Sequence, residues 1–181
     1  MKKMMMSLAA VAVMAVLAAC GGGAKNANGT DAEKESSTSV SYTNYVDAEK
    51  GFSFDVPEGL VKFDGPEAMG ATEFRLDGLI KNGVSANVSE NFDGEYTQEQ
   101  IDADFAEATL SLTGTPDTKE KTADGYIITE SYKDMGYNGM QRVLFKGDKR
   151  YNIIVYWEDE NASKYGGDVA KHVIDSFKLT E

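Results

Sequence analysis

The chain has 181 residues, of which 18 are Lys or Arg and 30 are Asp or Glu, so its formal charge is −12 at neutral pH. A surface of that sign repels phosphate backbones and anionic lipid headgroups, which argues against nucleic-acid binding and against membrane attachment through a basic patch. One cysteine, Cys20, and one histidine, His172, allow no intrachain disulfide, no thiolate cluster and no zinc site of the usual kind.

Lys2 and Lys3 precede an apolar run from Met4 to Ala19 that only Ser7 interrupts, and Gly21-Gly22-Gly23 follows it. As a helix the run reaches roughly 24 Å, short of the ~30 Å hydrocarbon core. A basic start, a short apolar stretch and small residues before a break mark residues 1–19 as a signal peptide. Leu17-Ala18-Ala19-Cys20 resembles the lipobox of bacterial lipoproteins. The resemblance implies that Leu17, Ala18 and Ala19 are read by the signal peptidase and that Cys20 becomes the new N-terminus. The Cys20 sulfur then carries a covalent diacylglyceryl group with palmitate-type chains, and no other cofactor is expected. One acyl chain alone binds membranes only marginally, so the two or three chains of a lipoprotein matter for durable anchoring. The protein is thus expected in the cell envelope, lipid-anchored on the extracytoplasmic side of the cell membrane or outer membrane. Removal of Lys2 and Lys3 with the signal leaves 16 basic against 30 acidic residues, about −14.

Residues 20–41 combine the lipidated cysteine with Gly, Ala, Asn, Ser, Thr, Asp, Glu and Lys, and Val40 is their only large apolar residue. That composition reads as a flexible tether with a root-mean-square span of roughly 25 Å. The charged run Asp31-Ala32-Glu33-Lys34-Glu35 is read as solvation of this linker rather than as a docking signal.

Residues 42–181 are the length of one ordinary domain. Gly51-Phe52-Ser53-Phe54-Asp55-Val56-Pro57 alternates apolar and polar residues, which predicts a strand ending at Pro57 with Phe52, Phe54 and Val56 on one face. Thr72 to Asp77 and Val84 to Phe92 predict two more strands, the second with Val84, Ala86 and Val88 on one face. Thr97-Gln98-Glu99-Gln100 has the form of a capping box and should open a helix. Ile101, Phe105, Ala108 and Leu112 form its apolar stripe, Gly114 and Pro116 should stop it, and Glu99, Asp102, Asp104 and Glu107 are expected on its solvated faces.

Three strands follow, Tyr126 to Lys133, Gln141 to Lys146 and Arg150 to Trp157, joined by a connection over Asp134 to Gly139 and a tight one at Gly147-Asp148. The last strand carries large apolar residues on both faces, as expected where both faces of a sheet are covered. Val169, Val173, Ile174 and Phe177 predict a final helix. The order of elements predicts an α+β domain, a mainly antiparallel β-sheet with helices packed on it.

Gly51-Phe52-Ser53-Phe54-Asp55-Val56-Pro57 at the start and Val173-Ile174-Asp175-Ser176-Phe177-Lys178-Leu179 at the end resemble the opening strand and closing helix of the PsbP-like superfamily. The resemblance spans nearly all of residues 42–181 and implies an α/β/α sandwich. What it implies of function is mostly non-enzymatic. PsbP itself supports a photosynthetic water-oxidising complex, a nuclear-import relative binds a small GTPase, and many bacterial relatives are lipoproteins. No catalytic residue is implied.

His172 falls at the edge of the last helix's apolar stripe, and no G-x-S-x-G or comparable nucleophile signature accompanies it. It reads as a partly exposed helix residue. Asp93 with Glu95, and Glu158 with Asp159, gather carboxylates in loops and are the candidates for calcium, although neither stretch has EF-hand spacing. Met135 to Met140 is either a contact surface or a hairpin with Tyr137 and Met140 packed on the core. The expectation is a membrane-anchored, non-enzymatic binding or accessory module for an envelope protein or glycan. The alternative is an envelope hydrolase or a calcium-dependent binder that uses Asp93, Glu95, Glu158 and Asp159.

Overall fold

The computed structural model describes residues 40–78, 81–110, 115–132 and 134–180, all within one compact unit, Thr38–Glu181. The expected signal peptide, Leu17 to Cys20 and all but the last two residues of the tether lie outside the described residues. No helix among the described residues is long and apolar enough to cross a membrane.

A small sheet is built from β1 (Tyr42–Asp47), β2 (Phe52–Pro57) and β10 (Lys178–Leu179), with β2 central and both neighbours antiparallel to it. Phe52, Phe54 and Val56 are buried on one face of β2, as the alternation predicts. The β1–β2 turn closes on Asp47, whose backbone carbonyl accepts from Gly51 N at 2.9 Å and whose carboxylate accepts from Lys50 N at 3.0 Å. Gly51 sits at φ +77°, a left-handed conformation that costs glycine little.

A seven-stranded antiparallel sheet runs in the order β3 (Val61–Phe63), β4 (Thr72–Arg75), β5 (Gly83–Glu90), β9 (Lys149–Glu158), β8 (Tyr137–Lys146), β7 (Gly125–Tyr132), β6 (Thr118–Lys121). Its two faces differ. Phe74, Val84, Ala86, Leu144, Ile153 and Val155 pack on one side with β2 and with α3 (Gly167–Ser176), which adds Ala170, Val173 and Ile174 to a single core. The other side carries α1 (Gln98–Glu107) over a small cluster of Tyr126, Ile128 and Val143. A short helix, α2 (Ala162–Tyr165), leads into α3. The α+β class and the antiparallel sheets with packed helices agree with the sequence reading.

Thr97 caps α1 as expected. Its hydroxyl accepts from Gln100 N at 3.3 Å and Gln100 Oε1 accepts from Thr97 N at 2.9 Å. The helix is shorter than its stripe predicts, however. It ends at Glu107, and Ala108 is already extended at φ −59°, ψ 127°. The cause is tertiary: the Leu110 N–H, which a continuing helix would spend on a backbone carbonyl, donates instead to Glu130 Oε2 at 2.8 Å. Leu112 and Gly114 lie outside the described residues.

The β7–β8 connection is also tighter than expected, since β8 begins at Tyr137 rather than Gln141. Met135 N and Gly136 N both donate to Tyr132 O at 2.9 Å, and Tyr137 stacks on Tyr132 with ring centroids 4.4 Å apart. Met140 packs against the main core, while Met135 is exposed. Strands β1, β3, β6 and β10 have no counterpart in the sequence reading. They are edge strands, and none shows a buried apolar alternation.

Candidate functional site

The side chains on the α1 side of the large sheet follow from its register. Ile128 pairs with Gln141 and Glu130 with Gly139; Gln141 pairs with Ile154, and Val143 with Asn152. Paired residues share a face, so Glu130, Gln141, Asn152 and Ile154 line one surface. Glu73 and Arg75 of β4 extend it through β5. Glu73, Arg75, Glu130, Gln141 and Asn152 are all buried. They account for most of the buried polar side chains among the described residues. Buried polar groups need partners, so the hydrogen bonding of this face can be followed atom by atom.

At the β4 end Arg75 binds Glu73 through Nε at 2.8 Å and through Nη2, and its guanidinium lies 3.6 Å from the centre of the Phe63 ring. Ser85 Oγ donates to the second Glu73 oxygen at 3.2 Å. This buried pair is therefore satisfied from several sides.

Beneath α1 the arrangement is different. The Tyr126 hydroxyl donates to Asp104 Oδ2 at 2.6 Å, Arg150 Nε donates to the same oxygen at 3.1 Å, and Arg150 Nη2 donates to the Tyr126 oxygen at 3.1 Å. Burial, with the Asp104 hydrogen bond adding to it, pushes the Tyr126 hydroxyl far above the ordinary tyrosine value, against the pull of Arg150. Arg150 itself is raised: burial would lower it, but Tyr126 and Asp104 outweigh that effect. Asp104 is thus not on a solvated face as its helix position predicts. The reach of Tyr126 and Arg150 from two different strands turns it into the hub of the site.

This triad walls a cavity of about 380 Å³ lined by Asp104, Glu107, Ala108, Thr109, Leu110, Tyr126, Gln141 and Arg150. Gln141 Nε2 donates to Asn152 Oδ1 at 2.6 Å, which leaves Gln141 Oε1 buried without a partner. Glu130 Oε1 is likewise buried and unpartnered. Across the Leu110 ridge a second cavity of about 290 Å³ is lined by Lys81, Leu110, Tyr132, Tyr137 and Tyr156. Gly139 makes room for the ridge, because a Cβ there would come within 2.9 Å of Leu110 Cδ1. Burial raises Tyr156, and the neighbouring Tyr132 and Tyr137, then Glu73 and Glu130, add to it.

The fold that presents these cavities can be placed by comparison. The solution structure of cyanobacterial PsbP (CyanoP) from Synechocystis aligns with TM-score 0.53 over 77% of this chain and 92% of that one, at 16% identity. This is a PsbP-like fold. A crystal structure from Bacteroides thetaiotaomicron aligns at TM-score 0.42 and 13% identity, over 76% of this chain and 48% of that one, too slight a likeness to argue from. No family model matches the chain, and no curated protein matches it.

On the PsbP-like fold the four carboxylates proposed for calcium fall into two separate places. Asp93 and Glu95 are exposed in a loop held to the β8–β9 turn, where Asn91 N donates to Asp148 O at 2.7 Å and Tyr96 N to Gly147 O at 2.9 Å. Glu158 and Asp159 stand at the other end of β9, roughly 30 Å away at ~3.3 Å per residue. Glu158 is lowered first by its hydrogen bond from Asn82 and then by Lys81, and Asp159 Oδ1 accepts from Asn138 Nδ2 at 2.8 Å. Among the described residues no three His, Cys, Asp or Glu side chains come together as a metal site. His172 is partly exposed as expected, yet it is held: Nε2 lies 3.0 Å from Asp55 Oδ2 and the ring stacks on Tyr42 with centroids 4.0 Å apart.

The Asp104–Tyr126–Arg150 hub and the Gln141–Asn152 pair are absent from the sequence reading. One signal for them exists: Asn152 is a polar position inside the otherwise apolar run from Tyr151 to Trp157. Which of them meet depends on strand pairing, and a single sequence does not show that.

Proposed function

We propose that this protein is an envelope lipoprotein, anchored through a diacylglyceryl group on Cys20 after cleavage beyond Leu17-Ala18-Ala19, whose 42–181 domain is a non-enzymatic binding or accessory module for an envelope partner, protein or glycan. The observation that carries the binding part of this reading is the open cavity beneath α1, lined by Gln141, whose side-chain oxygen is buried without a partner. A polar atom kept without a partner beside a cavity costs stability, and polar groups gathered at a cavity are the mark of a ligand site. The hub beside it favours holding over proton transfer. A tyrosine raised far above neutrality and a guanidinium raised further are both fixed in one protonation state.

Two measurements test this. A mass spectrum of the membrane-extracted protein is expected to show a chain starting at Cys20 with diacylglyceryl mass, lost in Cys20→Ala; an unmodified chain retaining residues 1–19 refutes the anchor. Crosslinking of the full-length protein in native membranes is expected to trap a defined partner, and loss of that partner on Gln141→Leu would tie it to the cavity. Failure to trap any component under conditions that trap known envelope complexes overturns the accessory role.

A further inference from the structure

The small sheet is closed on one side and open on the other. Glu58 N donates to Ser41 O at 2.9 Å, which makes that facing pair a hydrogen-bonded one. Facing pairs alternate along an antiparallel ladder, so Thr43, Tyr45 and Asp47 spend their backbone groups on Val56, Phe54 and Phe52. The N–H and C=O groups of Tyr42, Asn44 and Val46 therefore point away from β2. On the far side of β2 the corresponding groups are engaged: Asp55 N donates to Ser176 Oγ at 2.9 Å, and Thr180 N donates to Gly51 O at 2.9 Å. Among the described residues no strand stands beyond β1. Edges of this kind are normally blunted by lysine, proline or brevity. Both edges of the large sheet follow that rule, since β6 carries Lys119 and Lys121, and β3 is three residues with Lys62 at their centre. Strand β1 has six residues in unbroken register, without lysine or proline. Its one charged side chain, Asp47, is turned onto Lys50 and Thr72, and Val46 is 54% exposed.

Along this edge runs a cavity of about 550 Å³, with Tyr45, Val56, Leu60 and Phe74 as its apolar walls and Glu58 as the charged residue of its lining. An added strand would place every second side chain on the face that Tyr45 and Val56 share, above those walls. We propose that β1 is a docking edge for an extended segment of a partner protein, which adds a strand through its backbone, seats aliphatic side chains in this cavity and sets a lysine or arginine against Glu58. Complementarity assigns the occupant. Three outward N–H and three outward C=O groups match a peptide backbone, which a glycan or a lipid does not carry. The apolar walls match aliphatic side chains at alternate positions. Glu58 is exposed on a chain of formal charge −12, and the positive charge of a basic residue complements it. This surface is separate from the cavity beneath α1, and it specifies a protein rather than a glycan as what the module holds there.

The test uses the full-length lipidated protein in detergent micelles and the peptide acetyl-Lys-Thr-Val-Thr-Val-Thr-Lys-amide. Its valines and lysines fall on one face, and its threonines carry the bonding amides. Fluorescence anisotropy of a labelled copy reads affinity, and hydrogen exchange followed by NMR reads protection of the Tyr42, Asn44 and Val46 amides. Saturable binding is expected, with protection at those amides and none added in β6. N-methylation of the three threonine amides should abolish binding, and glutamate in place of both lysines should weaken it about tenfold. Val46→Pro removes one outward N–H without touching the ladder to β2 and should also weaken binding about tenfold. Glu58→Lys should reverse the preference in favour of the glutamate-ended peptide. Val46 and Glu58 are both exposed, and Glu58→Lys keeps the test valid even if Val46→Pro does not fold. No saturable binding overturns the proposal, as does equal binding of the N-methylated peptide or protection that falls outside β1. Protection of the same amides without peptide, growing with protein concentration, would assign the edge to a second copy of the chain and overturn it too. A partner still trapped by crosslinking in native membranes, with no peptide bound, would leave the accessory reading standing and remove this one alone.

Discussion

The two faces of the seven-stranded sheet solve burial in opposite ways. Toward α3 and the small sheet, Phe54, Val84, Ile153 and Ile174 are fully buried, and Phe54 meets Phe74 edge-on with centroids 5.9 Å apart. Toward α1, the large sheet presents Glu130, Gln141, Asn152 and Arg150 from β7, β8 and β9, and the space above them is only partly filled. Apolar burial is non-directional and tolerates any close-packed arrangement, whereas each buried polar atom demands one partner in one place. The first face therefore holds the domain together. The second spends stability on specific geometry and leaves two buried acceptors without a partner.

That contrast is sharpest in mutational cost. Phe54→Ala removes a fully buried ring from the apolar face and should destabilise by about 3–5 kcal/mol in urea unfolding. On the other face Glu130→Ala leaves the Leu110 N–H unpartnered but also removes an unpartnered oxygen, so a smaller loss of about 1–3 kcal/mol is expected. A loss equal to that of Phe54→Ala would make the polar face a structural core and end the distinction. Tyr126→Phe deletes the hydroxyl from the hub while Arg150 keeps Asp104, and about 1 kcal/mol should be lost by the same measurement.

Smaller effects come from the rim of the apolar face, where Asp47 joins the β1–β2 turn to β4. Burial would raise its carboxyl, but hydrogen bonds from Thr72 and the Lys50 backbone, with the Lys50 charge, leave it below the ordinary range. A carboxyl lowered in the folded state adds stability that is fully present above the unfolded value of about 3.9 and disappears as pH falls through the folded value. The acid limb of a plot of Tm against pH should accordingly flatten in Asp47→Asn, by less than about 1 kcal/mol at neutral pH. An unchanged limb would show that the turn, not the charge, holds β1 to β4. Calcium is expected to give the smallest effect, no shift in Tm at millimolar concentration, because Asp93 and Glu95 lie a strand's length from Glu158 and Asp159. A clear upward shift would mean that one acidic loop alone binds the ion.

Local pattern carried much of the fold. Phe52, Phe54 and Val56 alternate as a half-buried strand must, Thr97 and Gln100 close the capping box that their spacing announces, and the Val173 and Ile174 stripe lies on the core. Gly147 takes the positive φ that a two-residue hairpin requires. Where the reading failed, a distant residue had intervened. Helix α1 stops short because Glu130, twenty residues away in sequence, captures the Leu110 N–H. Asp104 leaves the solvated set because Tyr126 and Arg150 reach it from β7 and β9.

The same division holds for the site. Composition and the N-terminal pattern by themselves determine the charge, the expected lipidation of Cys20 and the α+β class, because sign, apolar length and periodicity are properties of neighbouring residues. Only the tertiary structure decided that Gln141 should face a cavity, that Asp104 should bind Tyr126 and Arg150, and that the two acidic loops should lie at opposite ends of β9. Those facts depend on which strands pair and in what register, and the strand pairing is selected by the burial of the whole apolar face rather than by any residue of the polar one.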